Sequence, residues 1–276
     1  MKRIPFLILI VFLISDVSGQ TNIMDRPEIL DKVDLCLYDI YGFHFTEARQ
    51  VQSEINELVP EHPVSYFLQA LLIYWQNFPL LPGDPEVENF EKSIDMTIAL
   101  SKPMIESNEF YTEGVFFDMH ARAYRSMFWA DNGKSAKVLP DLDNMYRNTI
   151  KGIDLKESFA DFYFSSGLYN YYVDAYVEAH PVYKPVASLF RKGNRAEGLK
   201  ELEIAIDRSR YIKYEAILFM SLIQLNYERD LGKAEDYAAS LYNYFPDNIY
   251  FLGQYLIILL HNKNYMVASV LSNKLK

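Results

Sequence analysis

With 276 residues, half of them apolar and 23% charged, the chain can bury a sizeable core and is too hydrophobic to be disordered. A net charge of −10 and a pI near 5.0 argue against electrostatic binding of nucleic acid, which needs a basic surface. The single cysteine, Cys36, excludes an internal disulfide and reads as a small buried hydrophobe, while 22 Tyr and 18 Phe predict rings packed between helices.

The chain opens like an export signal. Lys2 and Arg3 precede an apolar run from Ile4 to Ile14, and Val17-Ser18-Gly19 follows, which predicts a mature start at Gln20. The run is too short for a membrane span, which needs about 20 residues. No cysteine stands directly after it, and Cys36 lies too far downstream, so no lipid anchor is expected and the product is expected to be periplasmic or secreted. The first test is an intact mass: exported protein is expected to lack residues 1–19, and a full-length cytoplasmic product would overturn the assignment. No later stretch reaches 18 apolar residues, so no span is expected in the mature chain.

Helical periodicity then runs almost without a break. Ile29, Val33, Cys36, Leu37 and Ile40 form one stripe, ended at Gly42. Phe45 to Leu58 is a second helix, stopped by Pro60, and Pro63 opens a third that runs to Trp75. Residues 80–85 read as a loop, and Asn89 to Leu100 as a helix. Ser101 or Ser107 is placed to cap a long helix from Glu109 to Trp129, and Asn132-Gly133 is a turn. Asp154 is expected to cap the helix leading into an aromatic stretch, 162–205. There Tyr163, Gly167, Asn170, Tyr171 and Asp174 share a face, Pro181 and Pro185 force a stop, and Gly193-Asn194 turns the chain into a new helix carrying Leu199, Leu202, Ala205 and Ile206. Gly167 inside a helical face predicts a close helix crossing. Tyr214 to Glu228, Gly232 to Tyr244, Asn248 to His261 and Asn264 to Lys274 complete the chain, and no segment sustains strand alternation.

The spacing of small residues and prolines predicts a repeat. Ala48 and Pro60 are 12 apart, as are Ala234 and Pro246, and Ala268 follows Ala234 by 34. A 34-residue helix pair with a small residue where its helices cross and a proline at its end is the tetratricopeptide pattern. Gly198 and Ala205 fit with about two residues of slippage, and residues 84–160 show no such register. The segment Gly167-Leu168-Tyr169-Asn170, the proline turn, then Gly193-Asn194-Arg195, Gly198-Leu199, Leu202 and Ala205 resembles the tetratricopeptide repeat protein 39 family, which includes helical proteins of the mitochondrial outer membrane and inclusion-body clearance. The order of elements follows that family from about residue 35 onward, and the motifs cover 165–205. The chain is about half the family's length, has Ser188 to Gly193 where the family has Gly-Phe-x-Gly, and carries an export signal. The resemblance implies an all-helical repeat fold and no catalysis.

Chemistry is sparse. His44, His62, His120, His180 and His261 include no i, i+4 pair, and no metal-binding or nucleophile motif occurs, so they read as capping or core residues and no metal or cofactor is expected. Asp174 and Glu178 share a solvated face beside His180 rather than flanking a cleft. Gly193 and Gly198 follow no strand, which removes a dinucleotide site. Arg191, Lys192 and Arg195 form a small basic cluster, read as a solvated turn or a contact for an acidic peptide.

The expectation is an all-α, tetratricopeptide-repeat-like helical solenoid of antiparallel helix pairs. It is a single domain over 20–276, with one repeat-like unit in 20–82, an irregular region in 83–160 and C-terminal repeats in 161–276. Its expected role is a non-enzymatic scaffold holding a protein or peptide on a concave face. That face would carry Phe67, Leu71 and Tyr74, then Tyr214, Ile217, Ser221 and Gln224, then Tyr250 and Ile257. The alternative is a glycan-binding envelope protein with aromatic platforms.

Overall fold

Helix follows helix in a computed structural model that describes residues 22–275 other than 180 and 189. The expected signal peptide, the start at Gln20, His180 and Lys276 lie outside the described residues. The helices are α1 (Pro27–Tyr41), α2 (Phe45–Leu58), α3 (Pro63–Gln76), α4 (Val87–Glu106), α5 (Tyr111–Asp131), α6 (Leu139–Leu155) and α7 (Phe162–Ala179). After the short α8 (Lys184–Ala187) come α9 (Arg195–Arg208), α10 (Lys213–Ile223), α11 (Leu231–Tyr244), α12 (Ile249–His261) and α13 (Tyr265–Ser272). Among the described residues there is no strand, and each long helix packs on its chain neighbours, so the fold is an all-α helical solenoid. No helix among those residues is long and apolar enough to cross a membrane.

Three stretches share one template. Helices α2, α9 and α11 are each 14 residues long. Each is followed by a link of the same length, 59–62, 209–212 and 245–248, and then by the next helix of the inner layer. The fourth residue of each is small and buried or packed tight: Ala48, Gly198 and Ala234, with Ala268 at the fourth position of α13. The two-residue slippage expected near 200 is thus placed, because Gly198 rather than Ala205 occupies the crossing position. In α4 the fourth residue is the fully buried Phe90, and in α6 it is the exposed Leu142, which is why the middle of the chain shows no register.

The inner helices α1, α3, α5, α7, α10 and α12 converge on one aromatic core that runs from Ile23 to Phe251. The end of α1 also meets residues far along the chain. Asn248 Nδ2 donates to the Tyr41 carbonyl at 2.9 Å while its Oδ1 caps α12 by accepting from the N–H groups of Tyr250 and Phe251. Tyr41 itself lies against Tyr214 with ring centroids 5.1 Å apart, and Arg210 donates to the Leu30 carbonyl at 2.9 Å. The inner face is therefore filled rather than left as an open trough. Among the described residues a small second cluster, Leu225, Ala234, Ala238 and Ile258, stands outside this core.

Several local expectations change. Ser101 does not cap α5: it lies inside α4, which continues across Pro103, and its hydroxyl donates to the Thr97 carbonyl at 2.7 Å. Ser93, Thr97 and Ser101 form a buried one-turn ladder that lets α5 approach, and Gly114 of α5 sits against Met104 and Ile105. Ser107 accepts the N–H of Glu109 in the turn before α5 but does not cap that helix, whose N-cap Phe110 has no side-chain cap bond. Asp154 lies in the last turn of α6 and caps nothing ahead of it. A different helix start, that of α10, draws on a distant acid, Asp161, because its link residue Ile212 has no acceptor where His62 and Asn248 have one. The Asp161 carboxyl accepts the N–H groups of Arg210, Tyr211 and Ile212 at 2.7–3.2 Å. The basic cluster is paired internally: Arg195 with Glu178 and Glu228, and Arg191 with Asp154.

Candidate functional site

A cleft of about 300 Å³ opens where five inner helices meet. Tyr74 and Trp75 of α3 and Phe78 just beyond it form one wall. His120, Tyr124 and Met127 of α5, Phe164 and Leu168 of α7, Glu215 and Phe219 of α10, and Tyr250 of α12 complete it. The rings are edge-packed into a continuous lining: Phe78 meets Tyr250 at 4.9 Å, Trp75 meets Tyr250 at 5.7 Å, Tyr74 meets Tyr124 at 6.1 Å, and Phe164 meets Phe219 at 5.5 Å. Such contacts fix ring positions, so the walls are preformed.

Two polar groups in this lining are buried without a partner. Tyr41 and Tyr124 both donate their hydroxyls to Glu215 Oε1, and Oε2 receives nothing although it is out of solvent. Glu215 as a whole keeps partial exposure, but its carboxyl does not. Burial pushes this carboxyl above the ordinary range, against the pull of the two tyrosines. The Trp75 indole N–H is the other orphan. Buried polar groups are nearly always satisfied, so two in one lining need an explanation. Asp131 is exposed at the edge of the cleft and is also raised by desolvation. No lysine or arginine lines it.

Tyr74 and Tyr250, both expected to face a partner, do line this cleft. Tyr214 does not: it opens on a separate cleft of about 360 Å³ with Asp34, Arg208, Arg210 and Lys213. Phe67, Leu71, Ile217, Ser221 and Gln224 are buried core residues with no face open to a partner, Phe67 being covered by Phe116, Phe117 and Tyr124 of α5. Ile257 is exposed on α12, away from the lining residues. Glu215 escaped notice as one acid in the apolar run 214–223. The template alignment is the signal that would have found it, since the equivalent positions in α3 and α12 are Ser65 and Phe251. Among the described residues no group of three histidine, cysteine or acidic side chains is placed to hold a metal ion.

His120 and Asp161 make stability depend on pH in opposite senses. Burial lowers the His120 imidazole from 6.5 to about 4, so acid favours the unfolded chain, and stability is lost as pH falls from 6.5 to 4. Burial raises the Asp161 carboxyl from 3.8 to about 6, so the folded state takes its proton first, and stability is gained as pH falls from 6 to 4. Each effect is about 3 kcal/mol, and they offset one another. Urea unfolding at pH 6.5 and pH 4 is expected to show Asp161→Asn losing about 3 kcal/mol more than wild type on acidification, and His120→Phe losing about 3 kcal/mol less. Parallel profiles for wild type and both variants would refute the assignment.

Set against protein-family models, curated proteins and solved structures, the chain matches none.

Proposed function

We propose that this protein is a non-enzymatic scaffold of the cell envelope, of the tetratricopeptide type, which holds a protein or peptide partner by seating one side chain in the aromatic cleft. The observation that carries this reading is the cleft itself: a preformed, ring-lined space of about 300 Å³ where five inner helices meet. That volume suits one anchor residue, and buried anchors in pockets supply most of the energy of such interfaces. The solenoid supports the same reading, since stacked helix pairs bind through their inner layer. Rings packed edge to edge and mostly buried suit an inserted side chain better than a sugar stacked on an open platform. The N-terminal pattern of charge and apolar run supports placement in the envelope.

Site-specific photocrosslinking tests it. A benzophenone amino acid at Tyr250 is expected to give a discrete protein adduct in cells, and the same probe at the exposed Val182 is expected to give none. Equal labelling at both positions, or none at Tyr250, would overturn the proposal.

A further inference from the structure

We propose that the surface formed by the end of α12 and by α13 docks on an anionic lipid bilayer, with apolar side chains entering the membrane and lysines meeting its phosphates. Of the large apolar side chains exposed among the described residues, eight lie within 244–270 and nine are spread over the rest. Exposed apolar surface concentrated in one place marks an interaction site. On α12, Ile249, Gly253, Ile257 and Leu260 follow helical spacing along one stripe. The three large side chains of that stripe are exposed, and nothing lies within 4 Å of a Cβ added at Gly253. Residues 262–264 then turn the chain back into α13, which packs on α12. Ala268 is the buried residue of α13, while Met266 is 81% exposed and Val270 66%. Asn262 and Asn264 both donate to the Glu235 carboxylate of α11, so the turn joining the two helices is held in place.

Charge decides what this surface accepts. Residues 248–276 hold three lysines and no aspartate or glutamate, in a chain of net charge −10. Lys263 in the turn and Lys274 just past α13 are both exposed, the second with its ammonium 5.1 Å from the Tyr242 ring. A second copy meeting the same surface across a two-fold axis would set lysines toward lysines, with no acid in this segment to pair them. A partner helix needs a groove to lie in, and neither cleft described above is lined by Ile257, Leu260, Met266 or Val270. These side chains stand outward instead. A bilayer takes protruding apolar side chains one by one at the headgroup boundary, and lysines beside them reach the phosphates on their flexible stems. Tyr265, 61% exposed beside Met266, is of the type that settles at headgroup level. The acidic remainder of the chain is repelled by the same surface, which sets the orientation with α13 toward the membrane. The cleft takes Tyr250 from the first turn of α12, away from Leu260 and α13, so a membrane and a cleft partner can be held at once.

The test is flotation of purified protein from Gln20 onward with two kinds of vesicle, phosphatidylcholine alone and phosphatidylcholine with phosphatidylglycerol in equal parts. Binding to the mixed vesicles is expected to be at least about 10-fold tighter, the scale of a few lysines at an anionic surface less the repulsion of the acidic body. It is expected to weaken as salt rises from about 0.1 M to about 0.5 M. Met266→Asp combined with Val270→Asp is expected to abolish flotation. Both side chains are exposed, so an unchanged circular dichroism melt is expected alongside. Lys263→Gln combined with Lys274→Gln is expected to bring the mixed vesicles down to the level of phosphatidylcholine. Leu139→Asp, at a side chain 65% exposed on α6, is expected to change nothing. No flotation, equal flotation with both vesicles, or flotation kept by the Met266→Asp, Val270→Asp protein overturns the proposal. So does a dimer in sedimentation that the same two substitutions dissociate, which would give this surface to a second copy.

Discussion

Gly198→Ala is expected to cost about 2 kcal/mol, and Gly198→Leu more, in a helix where alanine would ordinarily help. A Cβ at Gly198 would stand 2.6 Å from the Tyr171 nitrogen and 2.7 Å from the Gly167 carbonyl oxygen. Both are backbone atoms of α7, so no side chain can swing aside and the two helices must separate. Overpacking of this kind costs about 1–3 kcal/mol, and replacing a helical glycine returns up to about 1 kcal/mol. Gly167 lies across the same contact, its added Cβ 2.8 Å from Leu202 Cγ and 3.0 Å from the Gly198 carbonyl oxygen. Gly167→Leu is therefore expected to melt lower than wild type, by less than Gly198→Leu, because the Leu202 side chain can yield. The separation would also disturb Glu201, which is buried on α9 and accepts from Ser166 and Asn170 of α7 at 2.7 and 2.8 Å. Gly253 is the control. Nothing lies within 4 Å of a Cβ there, so Gly253→Ala is expected to raise stability by up to about 1 kcal/mol. Urea denaturation of the four variants checks the order, and an unchanged midpoint for Gly198→Ala would place the crossing elsewhere.

The crossing at Gly167 could be read from the chain because a glycine in the middle of an aromatic helical face has few other reasons to be there. The template could be read for a related cause. Small residues at helix crossings and prolines at helix ends are local demands, and they recur wherever the local geometry recurs. What could not be read was the closure of the inner layer. It depends on Asn248 meeting the Tyr41 carbonyl and Arg210 meeting Leu30, contacts between residues far apart in sequence that leave no periodic trace. Neighbouring helices bury Phe67, Leu71 and Ile217 as core, and Tyr74 and Tyr250 share their cleft with Glu215 and Trp75. Helix ends failed where a cap came from afar. Ile212 has no capping group of its own, and the acid that serves it, Asp161, lies some 50 residues earlier and reads locally like any loop carboxylate.

Ala234→Phe is expected to loosen the C-terminal part of the chain and leave the rest folded. Ala234 is fully buried at the fourth position of α11, in the small cluster with Leu225, Ala238 and Ile258 that stands apart from the main core. A phenyl ring there has no space to take without pushing α11 from α10 and α12, whereas Ala239, one residue beyond Ala238, is only part-buried and offers a control. The substitution at 234 should therefore cost about 1–3 kcal/mol, and the same change at 239 less. In a stack of helix pairs strain passes mainly to the next pair. Its path toward the amino terminus is blocked where Phe245, Asn248 and Phe251 fasten the start of α12 to Tyr41 in the main core. Amide exchange is expected to accelerate through residues 232–245 and 254–275, to change little at 248–251, and to stay slow across Tyr66 to Tyr74. Acceleration spread evenly over the whole chain would mean that the second cluster is not an independent unit and that the solenoid unfolds as one body.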